Sequence, residues 1–153
     1  MKDGIAHTLR ALHHGEGQLA RDLVAVAERH AEEHEVHHVA TDLADWSRDH
    51  ADRLVEYAAA EGLRLDDDTP EPASGEGEGE GPEGLLLLHD LRALHLAATE
   101  NSLHWEMLAQ AAQATRDERL LVLASACHPQ TLRQMRWSNT LIKQLSPQVL
   151  TSL

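Results

Sequence analysis

The sequence predicts an all-α fold, an antiparallel four-helix bundle built from two helical hairpins. Three observations lead there. Apolar residues recur at alternating spacings of three and four on both sides of the chain's middle. No stretch alternates with period two for long enough to make a strand. A single run, residues 66–84, has almost nothing to bury and splits the helical pattern in two.

The first helix is expected over residues 5–34, where Ile5, Leu9, Leu12, Glu16, Leu19, Leu23, Val26 and His30 form an unbroken heptad seam. A turn near Glu33–Val36 leads into a second helix over 36–61. Its seam is Val36, Val39, Leu43, Trp46, His50 and Tyr57, with Ser47 and Leu54 beside it. Asp42, Asp45, Asp49, Asp52 and Glu56 line its wet face. Residues 85–115 form a third helix and 117–145 a fourth, separated near Gln113–Asp117. Together, 1–65 and 85–153 are two hairpins of one domain. Residues 66–84 connect them as an acidic, flexible, disordered linker holding eight of the chain's 26 acidic residues and no basic one. Its 19 residues reach about 60 Å when extended, against helices of about 40 Å. Such a linker permits a crossover, and it also permits a fold-back, up-down arrangement.

Composition narrows the function classes. The net charge is −13, and 13 basic residues with four aromatics leave no footprint for nucleic acid. The linker carries −8 of that charge, so much of the acidity describes the connection and not a binding face. No apolar run spans a bilayer and no signal-peptide core opens the chain, so the expected compartment is cytoplasmic, with no membrane partner. One cysteine, Cys127, excludes an intrachain disulfide framework. Adjacent Cys127 and His128 point about 100° apart on a helix, a poor geometry for a thiol–imidazole nucleophile. Ser47 and Ser125 lack the strand-turn setting of a hydrolase serine. Twelve histidines are the compositional oddity. Those between His30 and His38 include pairs four apart that suit zinc or copper, but a polar helix turn is the simpler reading.

The halves also look like copies. A shift of 82 superimposes Leu9-Arg10-Ala11-Leu12-His13 on Leu91-Arg92-Ala93-Leu94-His95. A shift of 84 pairs Leu12, Glu16, Leu19 and Leu23 with Leu96, Glu100, Leu103 and Met107. In the second helices, Leu43, Ser47, His50, Leu54 and Tyr57 match Leu121, Ser125, His128, Leu132 and Met135. Polar residues thus fall on apolar seams: Glu16 and Glu100 on the first and third, His50 and His128 on the second and fourth. A lone buried carboxylate would cost several kcal/mol or be forced neutral, on a rough scale. Two carboxylates facing two imidazoles either bind a divalent metal or pair as ions.

These residues resemble the ferritin-like superfamily of bacterial four-helix bundles. That family supplies one Glu from each of its first and third helices and a Glu-x-x-His pair from each of the others. The resemblance implies a long crossover and a central dinuclear site, with Glu16, Glu100, His50 and His128 as metal ligands and iron or manganese, ahead of zinc, as the metal. Ser47 and Ser125 stand where the family's bridging glutamates belong. Three arrangements therefore stay open: one metal on the four residues, two metals using His13 and His104 as substitute ligands, or a decayed site with no metal. Gly15 and Gly17 flank Glu16 and either admit a neighbouring helix or mark a broken turn. Pro129 is expected to kink the fourth helix. The first functional expectation is a metal-binding protein in iron or oxygen chemistry or metal handling, with catalysis left open. The alternative is a non-catalytic scaffold acting through oligomerisation or an unidentified protein partner. A homo-oligomer, a dimer, is the expected assembly.

Overall fold

The computed structural model describes residues 1–65 and 82–152. Most of the expected disordered linker, 66–81, lies outside them. The described residues form four helices: α1 (Asp3–Arg29), α2 (His34–Ala60), α3 (Glu83–Thr115) and α4 (Glu118–Thr151). No helix among the described residues is long and apolar enough to cross a membrane. Helix α1 packs against α2 and α3, and α4 against α3 and α2.

The ends differ from the sequence expectation for local reasons. Helix α1 stops at Arg29, earlier than residue 34, and His37 Nδ1 donates to the carbonyl of Ala27 across the turn at 2.9 Å. Helix α3 starts at Glu83 and so takes in two residues of the expected linker. Its end is marked by Arg116 in the left-handed conformation (φ 57°). Asp117 caps α4, its Oδ1 accepting from the Leu120 amide at 3.0 Å. Helix α4 runs on through Pro129 and Pro147, both on exposed positions, to Thr151.

The buried face of α1 is the seam read from the sequence: Leu9, Leu12, Glu16, Leu19, Leu23, Val26 and His30 are all buried. In α2 the buried set includes Val36, Leu43, Ser47, His50, Leu54 and Tyr57, while the five acids of the expected wet face are exposed. Helix α3 departs from expectation. Leu96, Glu100, Leu103 and Met107 are all exposed, and Leu91, Leu94, Ala98, Asn101, Ser102, Trp105 and Leu108 point inward. This is the register of the shared pentapeptide, a shift of 82; the shift of 84 pairs buried with exposed residues. Helix α4 is off by one position. Buried Leu120, Ala124, Cys127 and Thr131 stand 77 residues after Leu43, Ser47, His50 and Leu54, so Cys127 and not His128 occupies the place equivalent to His50.

The apolar core comes in two blocks. One holds Leu9, Leu12, Leu54, Tyr57, Trp105, Leu108, Leu120 and Cys127. The other holds Leu19, Leu23, Val26, Val36, Leu43, Leu91, Leu94 and Leu141. Between them lies a layer of polar side chains from all four helices.

Candidate functional site: a buried polar layer

Glu16 reaches that layer from α1 between Leu12 and Leu19, and His50 from α2 between Ser47 and Leu54. Both are fully buried (0% exposed). His50 Nδ1 donates to Glu16 Oε2 at 2.6 Å. Helix α3 supplies two further donors to the carboxylate: Asn101 Nδ2 to Oε1 and Trp105 Nε1 to Oε2, each at 3.2 Å. On the far side of the ring, His50 Nε2 donates to Gln130 Oε1 of α4 at 2.7 Å. The Trp105 ring meets the imidazole edge-on, with centroids 5.9 Å apart.

With a carboxylate at one nitrogen and a carbonyl oxygen at the other, both ring nitrogens donate, as an imidazolium does. The electrostatics agree. Burial works to lower the His50 pKa, but the hydrogen bond and charge of Glu16, helped by Gln130 and Asp49, outweigh it and hold the imidazole above its ordinary 6.5. The centre is thus an ion pair whose hydrogen-bonding groups are taken up inside the bundle. Beside it, Gln134 Nε2 donates to Ser47 Oγ at 2.9 Å and to the Leu43 carbonyl at 3.0 Å. Ser102 Oγ donates to His128 Nε2 at 2.8 Å.

Gly15 explains how α3 comes close enough. A Cβ there would collide with the Asn101 side-chain oxygen, whereas one at Gly17 meets nothing within 4 Å. Of the two sequence readings, close helix approach is therefore the one that applies to Gly15. Opposite signs follow. Gly15→Ala is expected to destabilise by about 1–2 kcal/mol, since displacing Asn101 outweighs the helix-propensity gain. Gly17→Ala is expected to stabilise by up to about 1 kcal/mol. Urea midpoints of the two variants check both.

The four residues expected as metal ligands do not come together as one donor set. Glu16 and His50 touch, Glu100 faces outward from α3, and half-buried His128 bonds Ser102. Among the substitutes, His13 is half-buried on α1, and half-buried His104 on α3 has an Nδ1 without a hydrogen-bond partner. Among the described residues no group of three or more His, Cys, Asp or Glu is placed to hold a metal ion. One carboxylate already compensated by an imidazolium is a poor fit to the two divalent charges of a dinuclear centre. No family model, no curated protein and no solved structure matches this chain. Its function has to be argued from its own side chains.

Other polar groups define what else the bundle can do. Asp90 of α3 is buried and takes Arg29 Nη2 at 3.0 Å and His30 Nε2 at 2.7 Å, both from the end of α1. Tyr57 donates to Asp117 Oδ2, and the Arg119 guanidinium stands 5.7 Å from the centre of the Tyr57 ring. Tyr57 and Asp117 line a cleft of about 480 Å³ with Lys2, Ile5 and Glu61; Glu16 and His50 do not line it. His34 and His38 stack at 6.4 Å on the exposed start of α2.

Sequence reasoning found Glu16 and His50 but missed Asn101, Trp105, Gln130, Arg29 and Asp90. Signals for some of them were present. Asn101 and Asp90 lie on the face of α3 that the pentapeptide register turns inward, and Gly15 marks the approach. Burial pushes the Cys127 thiol up to about 12. Cys127 is accordingly expected to react with a disulfide reagent at pH 8 only as fast as the protein opens, and a rate insensitive to reagent concentration would show it.

Proposed function

We propose that this chain is a non-catalytic helical scaffold of the ferritin-like kind, whose central polar layer is closed by an internal ion pair. The arrangement that supports the likeness is an antiparallel one. Arg29 at the end of α1 meets Asp90 near the start of α3, and Tyr57 near the end of α2 meets Asp117 just before α4. With α1 beside α3 and α2 beside α4, the end of α2 and the start of α3 lie at opposite ends of the bundle, as in the crossover arrangement. The observation that carries the function is the occupancy of Glu16. Its carboxylate accepts from His50, Asn101 and Trp105, and His50 spends its second nitrogen on Gln130. A carboxylate and imidazole used in this way specify how four helices meet; they are not held open for a ligand.

The metal-binding reading retains one supporting observation, the meeting of Glu16 and His50 in mid-bundle. Metal content separates the two readings. Untagged protein made in iron-, manganese- and zinc-supplemented medium is expected to hold well under one metal ion per chain by plasma mass spectrometry. A stoichiometric metal that disappears in a His50→Ala variant retaining its helical circular dichroism would replace the scaffold reading with the metal one.

A further inference from the structure

One apolar surface is left unused by the bundle. Leu96, Leu103 and Met107 of α3 are each more than half exposed. At 100° per residue they lie within about 40° of one another, on the side of α3 opposite Ala98 and Trp105. Half-buried Leu85 and exposed Ala114 continue the same line. Among the described residues, exposed large apolar side chains elsewhere make no comparable stripe: on α4, Val122 and Leu132 stand about 80° apart, and Leu150, although in line with Leu132, is 18 residues away from it. Scattered exposed leucines are ordinary, whereas an aligned stripe marks a contact surface.

Leu96 and Leu103, and Leu85 and Ala114, are symmetric about a point between Thr99 and Glu100, and Met107 is mirrored by Arg92. A second α3 laid antiparallel across that point puts Leu96 level with the partner's Leu103 and Leu85 level with the partner's Ala114. Arg92 and Glu106 lie on the same flank of the stripe, and across a two-fold axis like flanks face each other. Arg92 then falls within about 1.5 Å, along the helix, of the partner's Glu106, and the pair occurs twice. We infer that the outer face of α3 is a homodimer interface formed with a second copy of this chain.

The inference rests on the scaffold reading and names the surface through which the scaffold works. Residues 66–81, the chain segment outside the described structure, offer seven carboxylates and no large apolar side chain, a poor match to a leucine stripe. Helix α3 has 33 residues and is about 50 Å long. A strip about 10 Å wide along it removes about 500 Å² from each copy, or about 1,000 Å² in all, the lower bound for a specific interface. The dimer is therefore reversible. The two Glu100 carboxylates approach each other near the axis and oppose association.

Sedimentation velocity from micromolar to submillimolar concentration tests this on the full chain. Wild type is expected to pass from monomer to dimer across the series. Leu103→Glu/Met107→Glu is expected to remain monomeric with unchanged helicity and melting temperature, because both side chains are exposed. Arg92→Glu should weaken association about tenfold, Arg92→Glu/Glu106→Arg should restore it, and Glu100→Gln should tighten it. A wild type that stays monomeric, a dimer that survives the Leu103/Met107 substitutions, or a charge swap that fails to rescue would each overturn the inference. None of those results would alter the metal content or the stability of the Glu16–His50 centre, so failure of this inference is distinguishable from failure of the scaffold reading.

Discussion

Leucine in place of His50 is expected to destabilise the bundle by about 3–5 kcal/mol, because a buried ion pair broken on one side leaves an uncompensated charge. Glu16 would keep only the neutral donors Asn101 and Trp105 and has no exposure through which water could replace the imidazolium. A domain of this size has about 5–15 kcal/mol in total, so the melting temperature should fall by about 10 °C or more. Removing both charges, as Glu16→Gln/His50→Leu, should cost less than the sum of the single changes by about 2 kcal/mol or more. Urea unfolding of the three variants reads this directly. Additive costs would mean that the two side chains merely fill space.

The same pair sets a pH dependence whose sign follows from His50. Its pKa is raised in the folded state, so its contribution is complete below 6.5 and fades as pH rises through the folded value. Thermal melts of the wild type are expected to lose stability over that alkaline side. Glu16→Gln, which removes the cause of the shift, should flatten the slope.

Alanine at Asp90 has the second largest expected effect, about 3 kcal/mol. Asp90 is 1% exposed and receives two charge-assisted partners, Arg29 through a forked guanidinium contact and His30 through Nε2. Arg29 is 21% exposed and can turn its head to water, which keeps the loss below the Glu16–His50 case. Burial alone would raise the Asp90 pKa. The hydrogen bonds from His30 and Arg29, with the Arg29 charge, overcome it and hold the carboxyl below its ordinary 3.8. A carboxylate depressed in this way contributes above 3.8, and the contribution is lost as pH falls through the folded value. Wild type should therefore lose stability in acid more steeply than Asp90→Ala. Equal acid slopes in the two proteins would rule the pair out as its source.

Helices α1 and α2 were legible almost residue by residue. Each has a single apolar face opposed by charge, so only one rotation buries leucine and leaves carboxylates wet. That made Glu16 and His50 identifiable as polar residues on buried seams. Helix α3 was not legible in the same way, because leucine, alanine and methionine run round several of its faces and two phases satisfy the period equally. In α4, the Ser-x-x-His match to α2 picked a register one position from the observed one, which moved His128 from the core to its margin. The hydrogen-bonding roles of Trp105 and Gln130 were not legible for a different reason. A neutral amide or indole has no reason to be singled out until its partner is known.

The helical class, the buried faces of α1 and α2, and the carboxylate and imidazole on those faces could all be read from the sequence alone. Which face of α3 turns inward was decided only by tertiary structure, and the reason is electrostatic. Turning Glu100 into the core would set a second buried carboxylate beside Glu16 with no further cation to balance it. The observed rotation instead brings Asn101 and Trp105 to Glu16 as donors, and leaves Leu96, Leu103 and Met107 outside, facing water or another copy.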